Sequence, residues 1–564
     1  MRPQTASLSF GILVGVVGAT IQGPTADLGS VKYMGSSNAL LGINSFLGVR
    51  YAEPPVDDLR WRAPVPINSS NTTTAYSYTT NATSYGLQCV QGTPAYHPQT
   101  FNNSLASEDC LFLDIVAPSK PASESLPVVI NMHGGAYTLG NSTSEDGSQL
   151  VSYSNGAIIY VAIQYRLGAY GFLAGSEVQA DGVLNAGLLD QRAAIEWVRD
   201  NIHAFGGDPK QISIVGGSAG GGSVIYQLLR GGGESNPPFR SAMPQFAGFA
   251  PHRSPASQDA IYGKLLGAAK CTSLACLRAL PYEELANATQ QSYSDAYDAG
   301  LYGYGDFAYT PVVDGSFLVD FPSRSLAAGN FTKVPIFNTV DQFEGFGFTN
   351  GSVTTEDEVN RDISHLWPDA TPQFVSDLLA LYPPSAYGPA FKAANNLYQS
   401  SQYPLVEALF LAQDFNLSSN NPPLFQNAAI WGDAVIHCVS RNLAAAAFNS
   451  IPTKVPIWKL RFNAGYYAHA AVNRYFLGVE GPKEFVFNGT LADITKDWYL
   501  SFVINQDPNM ELPTRNGSSR PWWPQYGAMN DVLLVNETRF ATIADPDAAD
   551  TCDFFAANAD VIRS

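Results

Sequence analysis

The chain has 564 residues, 45% hydrophobic and 14% charged, so it can bury a large core and does not have the composition of a disordered protein. Its net charge of −18 speaks against nucleic acid as a partner, because phosphate binding needs clustered Lys and Arg.

Arg2 is followed by "ASLSFGILVGVVGA", an apolar run that ends in small residues. It is too short to span a bilayer, and no turn chemistry bounds it as a strand. A signal peptide over residues 1–19 is expected, with cleavage into a secreted protein. No later stretch reaches spanning length, so no stable membrane insertion is expected. The C-terminal "DTCDFFAANADVIRS" carries no hydrophobic tail for a lipid anchor. Asn-x-Ser/Thr sequons recur at Asn68, Asn71, Asn81, Asn102, Asn141, Asn287, Asn330, Asn350, Asn416, Asn488, Asn516 and Asn536. With a signal peptide, they point to a glycoprotein. The segment from Asn68 to Ser84, rich in Ser, Thr and Asn, reads as an exposed loop. The six cysteines suit three disulfides in an oxidising compartment, though composition leaves their pairing open.

Further along, "LPVVINM" (Leu126 to Met132) and "AIIYVAIQY" (Ala157 to Tyr165) are nearly continuous apolar runs. Such runs suit strands buried on both faces. "DQRAAIEWVRDNIHAF" follows, with Ala194, Trp197, Val198, Ile202 and Phe205 at helical spacing. Gly206 and Gly207 stop this helix. "QISIV" is again strand-like, as are "VPIFNTV" (Val334 to Val340) and "VPIWKLRFN" (Val455 to Asn463). Strands alternating with helices argue an α/β fold, with a mostly parallel central sheet covered by helices on both faces. No second core is visible, so residues 20–564 read as one domain with large insertions.

After "QISIV" comes Gly216-Gly217-Ser218-Ala219-Gly220, a G-x-S-x-G between a strand and a helix. In a nucleophile elbow the serine sits on a strained turn, and the residues two before and two after must be small. Upstream, "NMHGGAY" (Asn131 to Tyr137) follows a buried strand and can aim backbone N–H groups at a developing oxyanion. A serine nucleophile of this kind needs an acid and then a histidine further on. Four histidines follow Ser218. His252 comes before the acid, His365 lies near a helix end, and His437 sits in a helical stretch beside Cys438. His469 follows a late strand, where the base belongs. The acid should follow another strand, where "VDQFEG" offers Asp341 and Glu344, and spacing alone leaves both open.

These pieces lie within longer matches. "FLGVRYAEPPVDDLRWRAP", "SEDCLFLDI", "YRLGAYGFL" and "NAGLLDQRAAIEWVRDNIHAFGGDP" resemble the type-B carboxylesterase/lipase family, which includes the cholinesterases and many secreted fungal lipases. The resemblance runs from about Leu28 to "CDFF" near the end. It implies an α/β-hydrolase fold and a secreted carboxylic ester hydrolase that needs no metal or cofactor. It implies Ser218 as nucleophile, Glu344 as acid and His469 as base, "DQFEG" favouring Glu344 over Asp341. The oxyanion donors would be the amides of Gly135, Ala136 and Ala219. The family's disulfides would pair Cys89 with Cys110, Cys271 with Cys276, and Cys438 with Cys552. Arg60 with Glu108 and Arg166 with Asp190 would be structural ion pairs. The substrate would be a small-molecule or lipid ester.

The chain departs from the family pattern in places. Gly217 stands where the family usually has Glu, and Ala136 replaces the third glycine of the oxyanion turn. The stretch from His469 to Gly478 is one residue longer than the family's. The loop from Cys89 to Cys110 lacks the tryptophan that would bind a quaternary ammonium. The missing Glu and tryptophan speak against a choline ester. That loop is also where related lipases carry a lid, and here it is short, which leans towards an esterase. A lipase acting at interfaces on long-chain acylglycerols or sterol esters is the alternative. A non-catalytic adhesion protein is the reading from another class, and the intact Ser218, Glu344 and His469 speak against it. The oligomeric state is not legible.

Overall fold

The apolar runs become the buried centre of an eleven-stranded sheet in the computed structural model. The structure describes residues 23–67, 78–97, 105–388, 421–452, 454–465, 468–477, 488–514 and 519–564. The stretch expected to be a signal peptide lies outside them, as do the sequons at Asn68, Asn71, Asn102, Asn416 and Asn516. So does part of the Cys89–Cys110 loop.

In chain order the sheet strands are β1 (Ser36–Asn38), β2 (Ile43–Arg50), β3 (Phe112–Pro118), β4 (Leu126–Met132), β5 (Ile159–Ile163) and β6 (Gly207–Gly217). They continue with β7 (Ser241–Gln245), β8 (Ile336–Asp341), β9 (Ile457–Asn463), β10 (Asp531–Asn536) and β11 (Phe540–Ala544). Their spatial order is β11-β10-β9-β8-β7-β6-β4-β5-β3-β2-β1. From β5 through β10 every neighbouring pair is parallel. The strands added at the two margins are antiparallel. This is the sheet expected of an α/β-hydrolase.

Alternate residues of each strand enter different layers, as the two-residue repeat of a strand requires. Val128 and Ile130 of β4 pack in one core with Ala194, Val198 and Val224. These come from helices α1 (Ala186–Asn201) and α2 (Ala219–Leu229). Val129 faces the other core, with Tyr160, Trp498 and Val503. Every residue of β4 and β5 is buried, which is why their sequences are apolar without alternation. Truncating Ile130 to Ala would cost about 2–5 kcal/mol. Helix α1 begins earlier than its apolar periodicity indicates. Its last turn tightens into a 3-10 segment, Ile202–Phe205, which Gly206 ends at a φ of 87°.

Between β8 and β9 the chain makes a long insertion. Within it lie α3 (Pro422–Gly432) and α4 (Cys438–Phe448), joined by one turn of π-helix at Asp433–His437. After β9 come α5 (Ala471–Leu477) and α6 (Gly489–Asn505). The cysteines bond as Cys89–Cys110, Cys271–Cys276 and Cys438–Cys552. Arg60 meets Glu108 through two hydrogen bonds of 2.6 Å, and Arg166 meets Asp190 through two of 2.7 Å. Both pairs are buried.

Candidate active site

Ser218 sits between the last residue of β6 and the first of α2, at φ 59° and ψ −125°. Non-glycine residues rarely occupy this region, and a conformation so strained must be held by its surroundings. Here the Ser218 amide donates to Gln245 O at 3.1 Å, and its carbonyl accepts from the Gly222 amide at 2.9 Å. The small residues around it are needed for space. A Cβ on Gly216 would come within 2.5 Å of the Gly220 backbone, and one on Gly220 would overlap the Met132 carbonyl. The turn thus brings β6, α2 and the end of β4 closer together than any side chain allows.

His469 follows β9, and Glu344 follows β8. The His469 Nε2 atom lies 2.8 Å from Ser218 Oγ, and its Nδ1 lies 2.7 Å from Glu344 Oε2. With Ser218 donating to Nε2, Nδ1–H donates to the carboxylate. Glu344 is fully buried, and its other oxygen accepts from the Asp341 amide at 2.6 Å. Phe246 and Phe348 place their rings edge-on to the imidazole, at 5.1 and 4.8 Å between centroids. The ring is therefore oriented by two hydrogen bonds and by packing against two aromatic rings.

The other sequence candidates lie elsewhere. Asp341 does not hold the imidazole. Its Oδ1 accepts from the Val472 amide at 3.0 Å, at the start of α5 just after His469. Burial, and next the charge of Glu344, push the Asp341 carboxyl well above the usual carboxylate range. His437 fills the π-turn, with Nδ1 2.9 Å from Asp433 and Nε2 3.1 Å from the Asp341 carbonyl. His252 is buried against Tyr226 and the Arg563 carbonyl, and burial lowers it to about 4. His365 is exposed on a helix end. Ser223 lies inside α2, where its hydroxyl accepts from the Gln191 amide at 2.9 Å.

The turn after β4 has three successive residues in the left-handed region, Gly135 (φ 113°), Ala136 (φ 54°) and Tyr137 (φ 60°). The amides of Thr138 and Leu139 close it by donating to Gly135 O at 3.0 Å each. Gly134 lets it approach the elbow, since a Cβ there would lie 3.2 Å from Ser218 Cβ. Ala136 and Ala219 line the same cavity as Ser218 and His469. Ala219 opens α2, where first-turn amides lack intrahelical acceptors. Beneath the turn, His133 stacks on Tyr165 at 4.4 Å, and the Tyr165 hydroxyl donates to His133 O at 2.7 Å. Burial lowers His133 to about 4, so the stack is neutral at working pH.

The room left by Gly217 is filled. A Cβ there would overlap the ring of Phe246. An aromatic edge stands against His469 where the family pattern leads one to expect a carboxylate. Phe246, Phe348 and Trp431 are site residues that sequence reasoning missed. Phe348 lies four residues beyond Glu344 in "EGFGF", but Phe246 and Trp431 carry no motif. The cavity itself is narrow, with a volume of about 30 Å³, and Trp431 stacks on Phe348 at 4.3 Å along its wall.

The profile of the carboxylesterase family matches residues 25–395. Secreted lipase 1 of Botryotinia fuckeliana is 33% identical, over 95% of this chain and 93% of its own. Secreted triacylglycerol lipase LIP1 of Gibberella zeae is 30% identical, over 95% and 90%. Among solved structures, EstA of Aspergillus niger superposes with a TM-score of 0.81 at 26% identity, over 96% of this chain and 99% of that one. The chain belongs to the carboxylesterase family, has its α/β-hydrolase fold, and is a carboxylic ester hydrolase.

Proposed function

We propose that the protein is a secreted serine esterase in which Ser218, His469 and Glu344 act as one unit. The observation that supports this most is the unbroken hydrogen-bond chain from Glu344 through His469 to Ser218. His469 takes the Ser218 proton as the hydroxyl oxygen attacks the ester carbonyl. The amides of Gly135, Ala136 and Ala219 receive the oxyanion. The protonated imidazole then gives its proton to the departing alcohol. Water, deprotonated by His469, cleaves the acyl-enzyme, and Glu344 steadies the imidazolium in both halves. The intact unit argues against a purely adhesive role.

The secreted relatives and the expected signal peptide support an activity outside the cell. Among the described residues no helix is long and apolar enough to cross a membrane. The narrow cavity favours esters with a small group beside Ser218. The relative named as a triacylglycerol lipase supports a second reading, hydrolysis of long-chain acylglycerols. A series of p-nitrophenyl esters of rising acyl length tests both. A maximum at short acyl chains, abolished by Ser218→Ala, is the expected result. A maximum at long chains that jumps above the solubility limit would favour the lipase. Full activity in Ser218→Ala would refute the mechanism.

A further inference from the structure

Glu344 reaches His469 from the turn that follows β8. Behind that turn lies a second cavity of about 250 Å³, with Gln342, Phe343, Glu344, His437 and Arg461 in its wall. A void offers no atoms to pack against, so on this side the turn needs polar bonds to hold it. Two buried side chains supply them. Arg461, on β9, donates from Nη2 to the Gln342 carbonyl at 3.0 Å and from Nε to the Gln342 side-chain oxygen at 2.8 Å. His437, in the π-turn, places Nε2 3.1 Å from the Asp341 carbonyl. Its Nδ1 lies 2.9 Å from Asp433 Oδ1, while Asp433 Oδ2 accepts from the Tyr382 hydroxyl. Both ring nitrogens thus face acceptors, and the ring can donate to both only as the imidazolium. Burial and the Arg461 charge oppose that cation, Asp547 and Asp433 favour it, and the balance raises the imidazole above its ordinary 6.5. Arg461 is anchored in turn, its Nη1 donating to Asp547 at 2.6 Å.

Two successive carbonyls of the acid turn are therefore gripped by two cationic side chains from different elements. Hydrogen bonds from charged donors are stronger than neutral ones, which suits a turn that must hold a buried carboxylate in one place. We infer that Arg461 and His437 are positioning residues for the triad acid: by holding the carbonyls of Gln342 and Asp341 they set the reach of Glu344 to His469. They act through Glu344 and not on the ester. This rests on Glu344 acting as proposed above.

The test is a double-variant cycle on p-nitrophenyl acetate, with circular dichroism to establish folding. Arg461→Met removes both donors, and Asp547 keeps Lys459 as a partner at 2.6 Å. It should lower kcat by about 10²-fold with KM little changed, the cost of a roughly 1 Å misplacement. Arg461→Lys retains a cationic donor and should recover part of that loss. His437→Gln should lower kcat by about tenfold, the size of one hydrogen bond, and it carries the test with Arg461→Lys if Arg461→Met does not fold. Each substitution is then repeated in Glu344→Gln. Residues that act through Glu344 should cost less than about threefold more in that background, because groups that work as a unit are not additive. Wild-type kcat in the folded single variants would overturn the inference. So would a loss carried by KM, or one that Glu344→Gln leaves undiminished, as a general structural role predicts. If Glu344→Gln lowers kcat while the Arg461 and His437 variants do not, only this inference fails. Wild-type kcat in Glu344→Gln itself would refute the triad reading beneath it.

Discussion

Ser218 is held at a positive φ by bonds from β7 and α2, and His469 is held by Glu344 and two aromatic rings. At this scale the less obvious residue is Asp341, which grips the amide of Val472 just past the histidine. Asp341→Ala should let the His469 loop shift and lower kcat by about 10²-fold with little change in KM, the cost of a roughly 1 Å misplacement. Steady-state kinetics on a p-nitrophenyl ester checks this, and an unchanged kcat would remove Asp341 from the account. Gly217→Glu should not restore a family feature. The new side chain meets Phe246, so overpacking of about 1–3 kcal/mol is expected, read as a lower urea midpoint. Ser218 was legible in the sequence because its neighbours must be small, and that steric rule leaves a local mark. The choice between Asp341 and Glu344 was not legible from spacing. Both leave the end of one strand, and only the path of the turn decides which one faces the imidazole.

At the scale of elements, the site exists because β4, β6, β8 and β9 end at one edge of the sheet. Their loops carry the turn at Gly135–Tyr137, Ser218, Glu344 and His469. Central strands were legible because burial on both faces writes an apolar run. Strands β1, β2, β3, β7, β10 and β11 were not read directly. β7 is five residues long with a proline, and β11 is half-exposed, so neither shows a continuous run. Gly220→Ala should cost about 3 kcal/mol, near the upper range for overpacking, because the new methyl meets the Met132 carbonyl and neighbouring backbone. Urea unfolding reads that loss, and an unchanged midpoint would contradict the packing argument. Glu145 ties β4 to α5, accepting from Asn131 at 2.7 Å and from Asn473 at 3.1 Å. Burial raises its carboxyl from 4.5 to about 7. The folded state therefore holds this proton more tightly than the unfolded chain. That stabilisation is complete below about 4.5 and is lost as pH rises through about 7. Glu145→Gln cannot ionise, so its stability relative to wild type should rise across that window. Urea midpoints of both proteins between pH 4.5 and 8 check the sign.

At the scale of the whole molecule, the insertion between β8 and β9 does two jobs. It supplies Trp431 to the cavity wall and His437 beneath Asp341, and it is tied to the C-terminal region by Cys438–Cys552. That bond spans 114 residues, so a chain-entropy estimate assigns it about 5 kcal/mol. The double variant Cys438→Ala, Cys552→Ala should lose a stability of that order in a urea titration, and a loss near zero would show that the insertion docks without it. The α/β layering was legible in the sequence from its alternating elements, and the family from its long motifs. The cavity was not. Its walls come from segments as far apart as Thr310 and Trp431, and only folding places them together. The most direct test of the central claim is covalent capture. Native protein is treated with a fluorophosphonate, digested and mapped by mass spectrometry. The account predicts a single adduct on Ser218, formed at least about 10²-fold more slowly in His469→Ala, the scale of lost general-base assistance. Folded wild-type protein that takes no adduct, or takes it on another residue, would contradict it.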